Sequence, residues 1–528
     1  MKKIISLLLI PFAFAIAQTE KGNIELPDFV ITGKQSVNVQ AAKKRKPDFI
    51  PTLSKDFFTP QFSPEELPLF VSSEPVDETP DMKLSGVPLS SRLKIQVGNY
   101  TFPTGEFNFS QSYQNFLTNA KVWGSNIREY IPNAGYNSSG VSLHNNIFLS
   151  TKSDFLPGSE IKINADYQRD SYRFFASALP DQLRETNSGS LAASIASSYN
   201  KWIGFELGGS GAIRSFNDTG LKESLFRLNG GLDFKQDYFT IGGKGEFTGQ
   251  SLSKNLSGTD AYNYFSSNGY VQFSPIRTLI IRAGINFGSG ATKTFYSPFG
   301  TLEYKMGDGL TASAEFNPHS EFFTFSDFAK KNLYFNLGTV DNVFVEYKID
   351  LNGTLAYQFE KLFSFSLNAG FARLNNAFYF SDLISAGKFD IVIFPESEIL
   401  SGGINFTLLP SSFGSFIADL HIRNVKDAAG NYVPYEPALD ASFAYEYNFP
   451  AGIDVKLKYK TAQGIYTDLL NTDKLPGYND LSVSLGYEIL NGLKLTADFQ
   501  NIFNRANFVW KQYQEKPFDF LLGIEYRW

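Results

Sequence analysis

Pro517-Phe-Asp-Phe-Leu-Leu-Gly-Ile-Glu-Tyr-Arg-Trp528 are the last twelve residues of the chain, and their alternation sets the kind of β-structure to expect. Phe518, Phe520, Leu522, Ile524, Tyr526 and Trp528 occupy one set of alternate positions. Asp519, Leu521, Gly523, Glu525 and Arg527 occupy the other. A period of two sends the two sets to opposite faces of a strand. One face is wholly apolar and ends in two aromatics; the other is small or charged. A strand buried on both sides in a soluble core seldom carries Asp, Glu and Arg on its second face. A strand with lipid outside and water inside does.

The preceding stretch repeats the pattern. Between Gly492 and Asn501, Leu493, Leu495, Ala497 and Phe499 alternate with Lys494, Thr496, Asp498 and Gln500. The run Asp498-Phe-Gln-Asn-Ile-Phe-Asn-Arg505, a polar loop, and a final Gly523-x-x-Tyr526-x-Trp528 strand resemble the C-terminus of TonB-dependent outer-membrane receptors over roughly forty residues. The resemblance implies a transmembrane barrel surrounded by outer-membrane lipid. It also implies that the barrel-assembly machinery reads the terminal strand, with Phe518, Phe520, Leu522, Ile524, Tyr526 and Trp528 as the assembly signal.

Composition agrees. The 52 Phe and 27 Tyr put aromatics at 16% against 19% charged residues, a ratio suited to strands with aromatic girdles at two interfaces. Mean hydropathy is −0.18, and outside the N-terminus no apolar run reaches the ~20 residues of a spanning helix. The absence of cysteine excludes disulfides, thiolate metal sites, cysteine nucleophiles and a lipoprotein anchor. It also suits passage through an oxidising periplasm. A net charge of −6, mixed in sign, leaves no electrostatic footprint for nucleic acid.

Residues 1–17 read as a secretory signal: Lys2 and Lys3, an apolar core from Ile4 to Phe14, and Ala15-Ile16-Ala17 as the small-x-small cleavage site. Residues 18–90 form a second region, expected in the periplasm. Nine of the 24 prolines fall here, too densely for helix or central strand, so the segment is expected to be extended. The basic cluster Lys43-Lys44-Arg45-Lys46 reads as a solvated charge run. Ile24 to Lys34 is different, holding a β-prone core stopped by Gly33. Asp28-Phe29-Val30-Ile31-Thr32-Gly33 resembles the run near the mature N-terminus of TonB-dependent receptors, where TonB engages by strand addition. Two readings of these six residues stand: a TonB contact, or a short strand packed in the barrel mouth.

From residue 91 to 528 two-faced strands follow one another without a helical period. Ile161, Ile163 and Ala165 oppose Lys162, Asn164 and Asp166; Leu279, Ile281, Ala283, Ile285 and Phe287 line one face; Ile453, Val455, Leu457 and Tyr459 alternate with Asp454, Lys456, Lys458 and Lys460. Tight connections at Gln236-Asp237, Pro275-Ile276, Gly307-Asp308, Glu360-Lys361, 450–452 and 490–492 alternate with long ones at 318–340, 376–396, 425–435, 467–478 and 503–516. Short periplasmic turns and long outer loops give this asymmetry in an all-β, antiparallel up-and-down transmembrane barrel. About 22 strands are counted, with both ends of the barrel chain, the start of its first strand and Trp528, toward the periplasm.

Family members carry a folded plug, and residues 18–90 are too short and too proline-rich to match it. Twenty-two strands about 4.8 Å apart and tilted about 40° would enclose a bore of roughly 30 Å. Three seals are open: residues 18–90 in the lumen, outer loops folded inward, or a partner.

No catalytic or metal site is expected, and no cofactor. His144 and His421 fall on the polar phase of strands and His319 in a loop, with no ligand spacing among them. The acidic loop from Thr467 to Asp480 lacks EF-hand spacing. The expectation is an outer-membrane barrel with a reduced or missing plug that carries a solute across the outer membrane, not an enzyme. The alternative is a non-transporting barrel that displays its loops or anchors a periplasmic partner.

Overall fold

Alternation of side chains from Arg92 to Arg527 is realised as one antiparallel ladder that closes on itself. The structure, a computed structural model, describes residues 91–152, 156–254, 261–290, 293–307, 309–337, 343–360, 362–384 and 386–528. The signal segment, the proline-rich region and the TonB-like run 28–33 lie outside the described residues. Around the barrel each strand position pairs with the next in chain order, and the first strand, Arg92–Gly98, pairs with the last, Asp519–Arg527. At this seam Leu493, Tyr526 and Leu93 stand in one row across three strands, and Leu495, Ile524 and Ile95 in the next. Backbone bonds in both directions between Ser91 and Trp528 finish the closure. A closed sheet leaves no edge to template aggregation.

The count is 22 positions around the barrel, although the sheet contains 23 strands. Leu310–Phe316 and His319–Phe323 both pair with Val343–Phe359 and share one position. Pro318 separates them, because it has no N–H to give to the ladder. His319 is therefore a strand residue and not, as expected, a loop residue.

Side chains sort as the period predicts. Phe520, Leu522, Ile524 and Tyr526 point outward and are 42–53% exposed, as is Trp528 just beyond the strand. Leu521, on the other phase, is buried. Phe518 precedes the strand, which begins at Asp519, and is half-buried. Leu457 faces out while Lys456 faces the lumen, where Glu446 approaches it at 3.9 Å.

One rim carries mostly tight turns, such as Gln114-Asn115, Ser412-Phe413 and Asn491-Gly492. At Gly492 φ is +79°, and a Cβ would lie 2.3 Å from the carbonyl oxygen of Arg527, so the turn requires glycine. The other rim carries the long connections 324–342, 382–389, 428–438, 464–477 and 501–518. Two boundaries differ from expectation. The turn placed at Pro275-Ile276 falls at Arg277-Thr278, with Ile276 still in its strand. The loop expected over 376–396 is mostly strand, since Phe363–Ser381 and Asp390–Ser411 pair from Ala377↔Phe394 to Ser381↔Asp390. That extension is held because Ala377, Phe378, Tyr379 and Phe380 are buried in a cluster at the long-loop rim, where the packed core of the molecule sits.

Candidate functional site: a loop-built cap above a basic wall

The core is a cap assembled from the long connections themselves. Its centre is the segment after His319–Phe323. Thr324 starts a seven-residue helix, Phe325–Lys331, with a reciprocal capping box. The Thr324 amide donates to Asp327 Oδ2 at 2.9 Å, and the Asp327 amide donates back to Thr324 Oγ1 at 3.4 Å. Phe325, Phe328 and Ala329, spaced i, i+3, i+4, form one buried face. Each fully buried Phe contributes about 1.5–3 kcal/mol. Below the helix, Glu223 accepts from Ser326 and from Gln250, and Arg214 donates to the Ser326 carbonyl at 3.2 Å.

The chain then continues across the lumen. Phe335 forms a parallel bridge with Phe389 of connection 382–389: the Asn336 amide donates to Phe389 O at 2.8 Å and the Phe389 amide to Tyr334 O at 3.1 Å. Arg184, at the start of the sixth strand, Leu183–Ser197, donates to Phe335 O at 2.7 Å. Its guanidinium pairs with Asp218 at 2.7 Å, with both side chains under 4% exposed, and lies over the Phe174 ring at 4.5 Å. Tyr172 donates to Leu333 O at 2.7 Å. From a third direction, connection 501–518 brings Trp510 against Phe389 and Tyr435, at 4.8 and 4.9 Å between ring centroids, and stacks Tyr513 on Tyr334. Tyr513 also donates to the Gly387 carbonyl. Gly387 has φ +71°, and a Cβ there would strike Ala176 O at 2.3 Å, so the loops meet backbone to backbone.

These anchors lie on well-separated parts of the rim. Arg184 is on the sixth strand position, the helical segment leaves the thirteenth, and Trp510 and Tyr513 lie between the twenty-first and the last. The cap therefore crosses the mouth. Burial pushes the hydroxyls of Tyr334 and Tyr513 well above the ordinary phenol range, which keeps both neutral and able to donate.

Beneath the cap, a cavity of about 920 Å³ opens against the wall formed by Ile453–Gln463, Tyr478–Leu490, Leu493–Gln500 and the two closing strands. Lys456, Lys458 and Lys460 project into it from one strand; Tyr130, Tyr136 and Tyr334 roof it.

Neither His144 nor His319 has the geometry of a catalytic relay or a metal ligand set. Ser142 Oγ and Asp166 Oδ1 approach His144 at 3.0 and 3.3 Å, but both meet Nε2. A relay needs its nucleophile and its orienting carboxylate on opposite nitrogens. His319 has the reverse arrangement: Glu321 is 3.5 Å from Nε2 and Asp350 3.7 Å from Nδ1, so the two carboxylates cannot join one ring nitrogen on a single ion. Its ring stacks on Tyr347 at 4.3 Å. Among the described residues no group of three or more His, Cys, Asp or Glu is placed to hold a metal.

Of the sequence-derived candidates, Phe520, Leu522, Ile524, Tyr526 and Trp528 lie side by side on the outer face, Phe518 lies half-buried just before the strand, and residues 28–33 are outside the described residues. The cap residues Arg184, Asp218, Tyr334, Phe335, Phe389, Trp510 and Tyr513 were not anticipated. A signal existed: Phe322 to Leu337 is too aromatic for a solvated loop.

No protein-family model matches the chain, and no curated protein matches it in sequence. Solved structures do match its fold. The siderophore receptor PiuA from Acinetobacter baumannii superposes with a TM-score of 0.62 at 9% identity, over 84% of this chain and 82% of that one. The copper transporter OprC gives 0.59 at 11% identity, over 84% and 80%. The ferric enterobactin receptor PfeA from Pseudomonas aeruginosa gives 0.59 at 10%, over 84% and 81%. The chain thus shares the 22-strand barrel fold of these receptors, and the likeness first met in its C-terminal strands extends to the architecture of the whole barrel.

Proposed function

We propose that this protein is an outer-membrane barrel that admits a solute across the outer membrane, with a mouth closed by its own loops. The observation that carries the reading is the cap: a wide closed barrel of the same fold as solute receptors, obstructed by a packed layer anchored at separate points of the rim. A wall with lipid-facing apolar residues and a polar lumen suits passage, and a removable obstruction suits control of passage. In this reading the long-loop rim faces the cell exterior and both ends of the barrel chain face the periplasm. The protein is not an enzyme in this reading; the histidine geometries supply no relay to set against it. Residues 28–33 would reach TonB by strand addition, and the barrel-assembly machinery would insert the chain through its terminal strand.

A second reading is favoured by the same cap. A mouth so well packed also suits a barrel that never opens and that displays its loops or anchors a periplasmic partner on residues 18–90. Solute uptake by liposomes containing the purified full-length protein separates the two. Uptake above protein-free liposomes is the expected result; none, with the cap intact or loosened, would sink the transport reading.

A further inference from the structure

The cap hangs from a strand that the barrel holds on one edge only. His319–Phe323 runs directly into Thr324 and the cap helix. Among the described residues its one ladder partner is Val343–Phe359, over five register pairs. The neighbouring wall strand, Thr294–Lys305, pairs with Leu310–Phe316 as far as Gly300↔Phe316 and makes no ladder with the strand beyond Pro318. The free edge of that strand turns inward, toward the lumen faces of earlier strands. Asn286 donates to Pro318 O at 2.8 Å and to Asn317 Oδ1 at 2.7 Å, and Tyr264 donates to Ser320 O at 2.7 Å. A segment with one laddered edge and a few side-chain bonds on the other opens at lower cost than a strand paired on both.

His319 begins this strand, and its bonding depends on a proton. Asn317 O, 2.8 Å from Nδ1, can only accept, so Nδ1 carries a hydrogen in either charge state of the ring. The proton that comes and goes is therefore the one on Nε2, which faces Glu321 at 3.5 Å. In the imidazolium, Nε2 pairs with Glu321 while Asp350 lies 3.7 Å from Nδ1. Among the described residues no other cation lies within ion-pair distance of either carboxylate. In the neutral ring a lone pair meets the Glu321 carboxylate, and both acids lose their counter-charge.

The other charged and titratable groups around the ring offer no substitute. Glu315 stands directly across from Asn352, whose amide donates to Asp350 at 2.8 Å, and so adds a third carboxylate. Arg282 lies two strands away in the row of Glu315 and donates to Gln272 at 2.8 Å. Lys348 pairs with Glu346 at 2.9 Å. Tyr347, the register partner of His319, stacks on its ring, and the Tyr264 hydroxyl is spent on Ser320.

We propose that His319–Phe323 is the hinge of the cap and that His319 is its proton-dependent clasp. The protonated ring holds the stem; as pH rises through the histidine range, about pH 5 to 8, the pair is lost and the stem loosens. The inference rests on the reading that the cap controls passage, and gives that control a chemical signal.

Hydrogen exchange of the purified full-length protein in detergent tests it, followed from about pH 5 to pH 8 and corrected for the intrinsic pH dependence of amide exchange. Protection of residues 324–337 should fall by about threefold or more over this range, the scale of a partly exposed ion pair. Protection of the ladder between Ile453–Gln463 and Tyr478–Leu490 should stay level. His319→Gln, which donates without changing charge, should flatten the profile. Glu321→Gln, which removes the partner instead of the ring, should reduce the fall as well. His144→Gln/His421→Gln should preserve it. Heat-modifiable migration checks that each variant is folded. A level profile in the unmodified protein, or the same fall in His319→Gln, overturns the clasp. Liposome uptake at the same pH values is scored separately. A His319-dependent change in protection with no change in uptake keeps the clasp and removes the reading that the cap controls passage. Uptake that responds to pH alike in the unmodified protein and in His319→Gln does the reverse.

Discussion

Arg184 ties the cap to the rim through three separate contacts. It satisfies Phe335 O, neutralises Asp218 and covers Phe174 from a position almost without solvent. Breaking a buried pair by removing one partner costs about 3–5 kcal/mol, because the other charge stays buried and uncompensated. Arg184→Ala should therefore speed hydrogen exchange in residues 324–337 while leaving the distant turns unaffected. Arg184→Met/Asp218→Leu should restore much of the protection, since an apolar pair of similar volume removes the stranded charge. Equal exchange in the single and double variants would mean that the ion pair does not hold the cap. A second residue-scale expectation concerns the wall. Leu457 points out of the barrel and Lys456 into the lumen, although they are adjacent. Arg at a lipid-facing midplane position costs about 2–4 kcal/mol. Leu457→Arg should lower the unfolding free energy by that amount, and Lys456→Ala should change it by much less.

Among the elements, the terminal strand has a two-sided role. It pairs with Leu493–Gln500 on one flank and with Arg92–Gly98 on the other, so it closes the sheet as well as ending the chain. Deleting Tyr526 to Trp528 removes the Leu93–Tyr526–Leu493 row and the Ser91–Trp528 bonds. The amount of heat-modifiable barrel in outer-membrane fractions should fall; unchanged assembly would refute the role. The N-terminal run makes a different demand. If residues 28–33 meet TonB by strand addition, as proposed, the contact depends on backbone donors, so Ile31→Pro should abolish crosslinking of single cysteines at 28–33 to TonB, and Phe29→Ala should preserve it. Loss with Phe29→Ala and retention with Ile31→Pro would favour apolar packing instead. These elements differ in how far the sequence reveals them. Alternation at Leu493–Gln500 or Ile453–Gln463 is local, and both faces could be read directly. Residues 376–396 could not be, because their strand extension is held by Phe335 and Trp510, which come from other connections. The cap was illegible for the same reason. The aromatic density of Phe322 to Leu337 is a local signal, but only barrel closure decides that Arg184 and Tyr513 meet it.

At the scale of the whole molecule, the question is whether the cap moves. It is held mainly by ring packing, two backbone bonds between Asn336, Phe389 and Tyr334, and the Arg184–Asp218 pair. None of these is covalent, and the chain contains no cysteine to complicate a designed link. Phe335 and Phe389 are bridge partners, so their Cα atoms are close enough for a disulfide, which needs about 4.4–6.8 Å. Phe335→Cys/Phe389→Cys joins connection 324–342 to connection 382–389 through that bond. Each single variant creates the same side-chain deletion without the link and serves as its control. If passage requires the two connections to part, the oxidised double variant should take up solute into liposomes more slowly than either single variant. Reductant should then return it to their rate. If uptake is equal in the oxidised and reduced forms, the path runs elsewhere, and the cap is a fixed part of the wall. If the single variants already exceed the unmodified protein, the lost aromatic packing is itself what restrains the mouth. The link then reports how much of that restraint a single bond can replace.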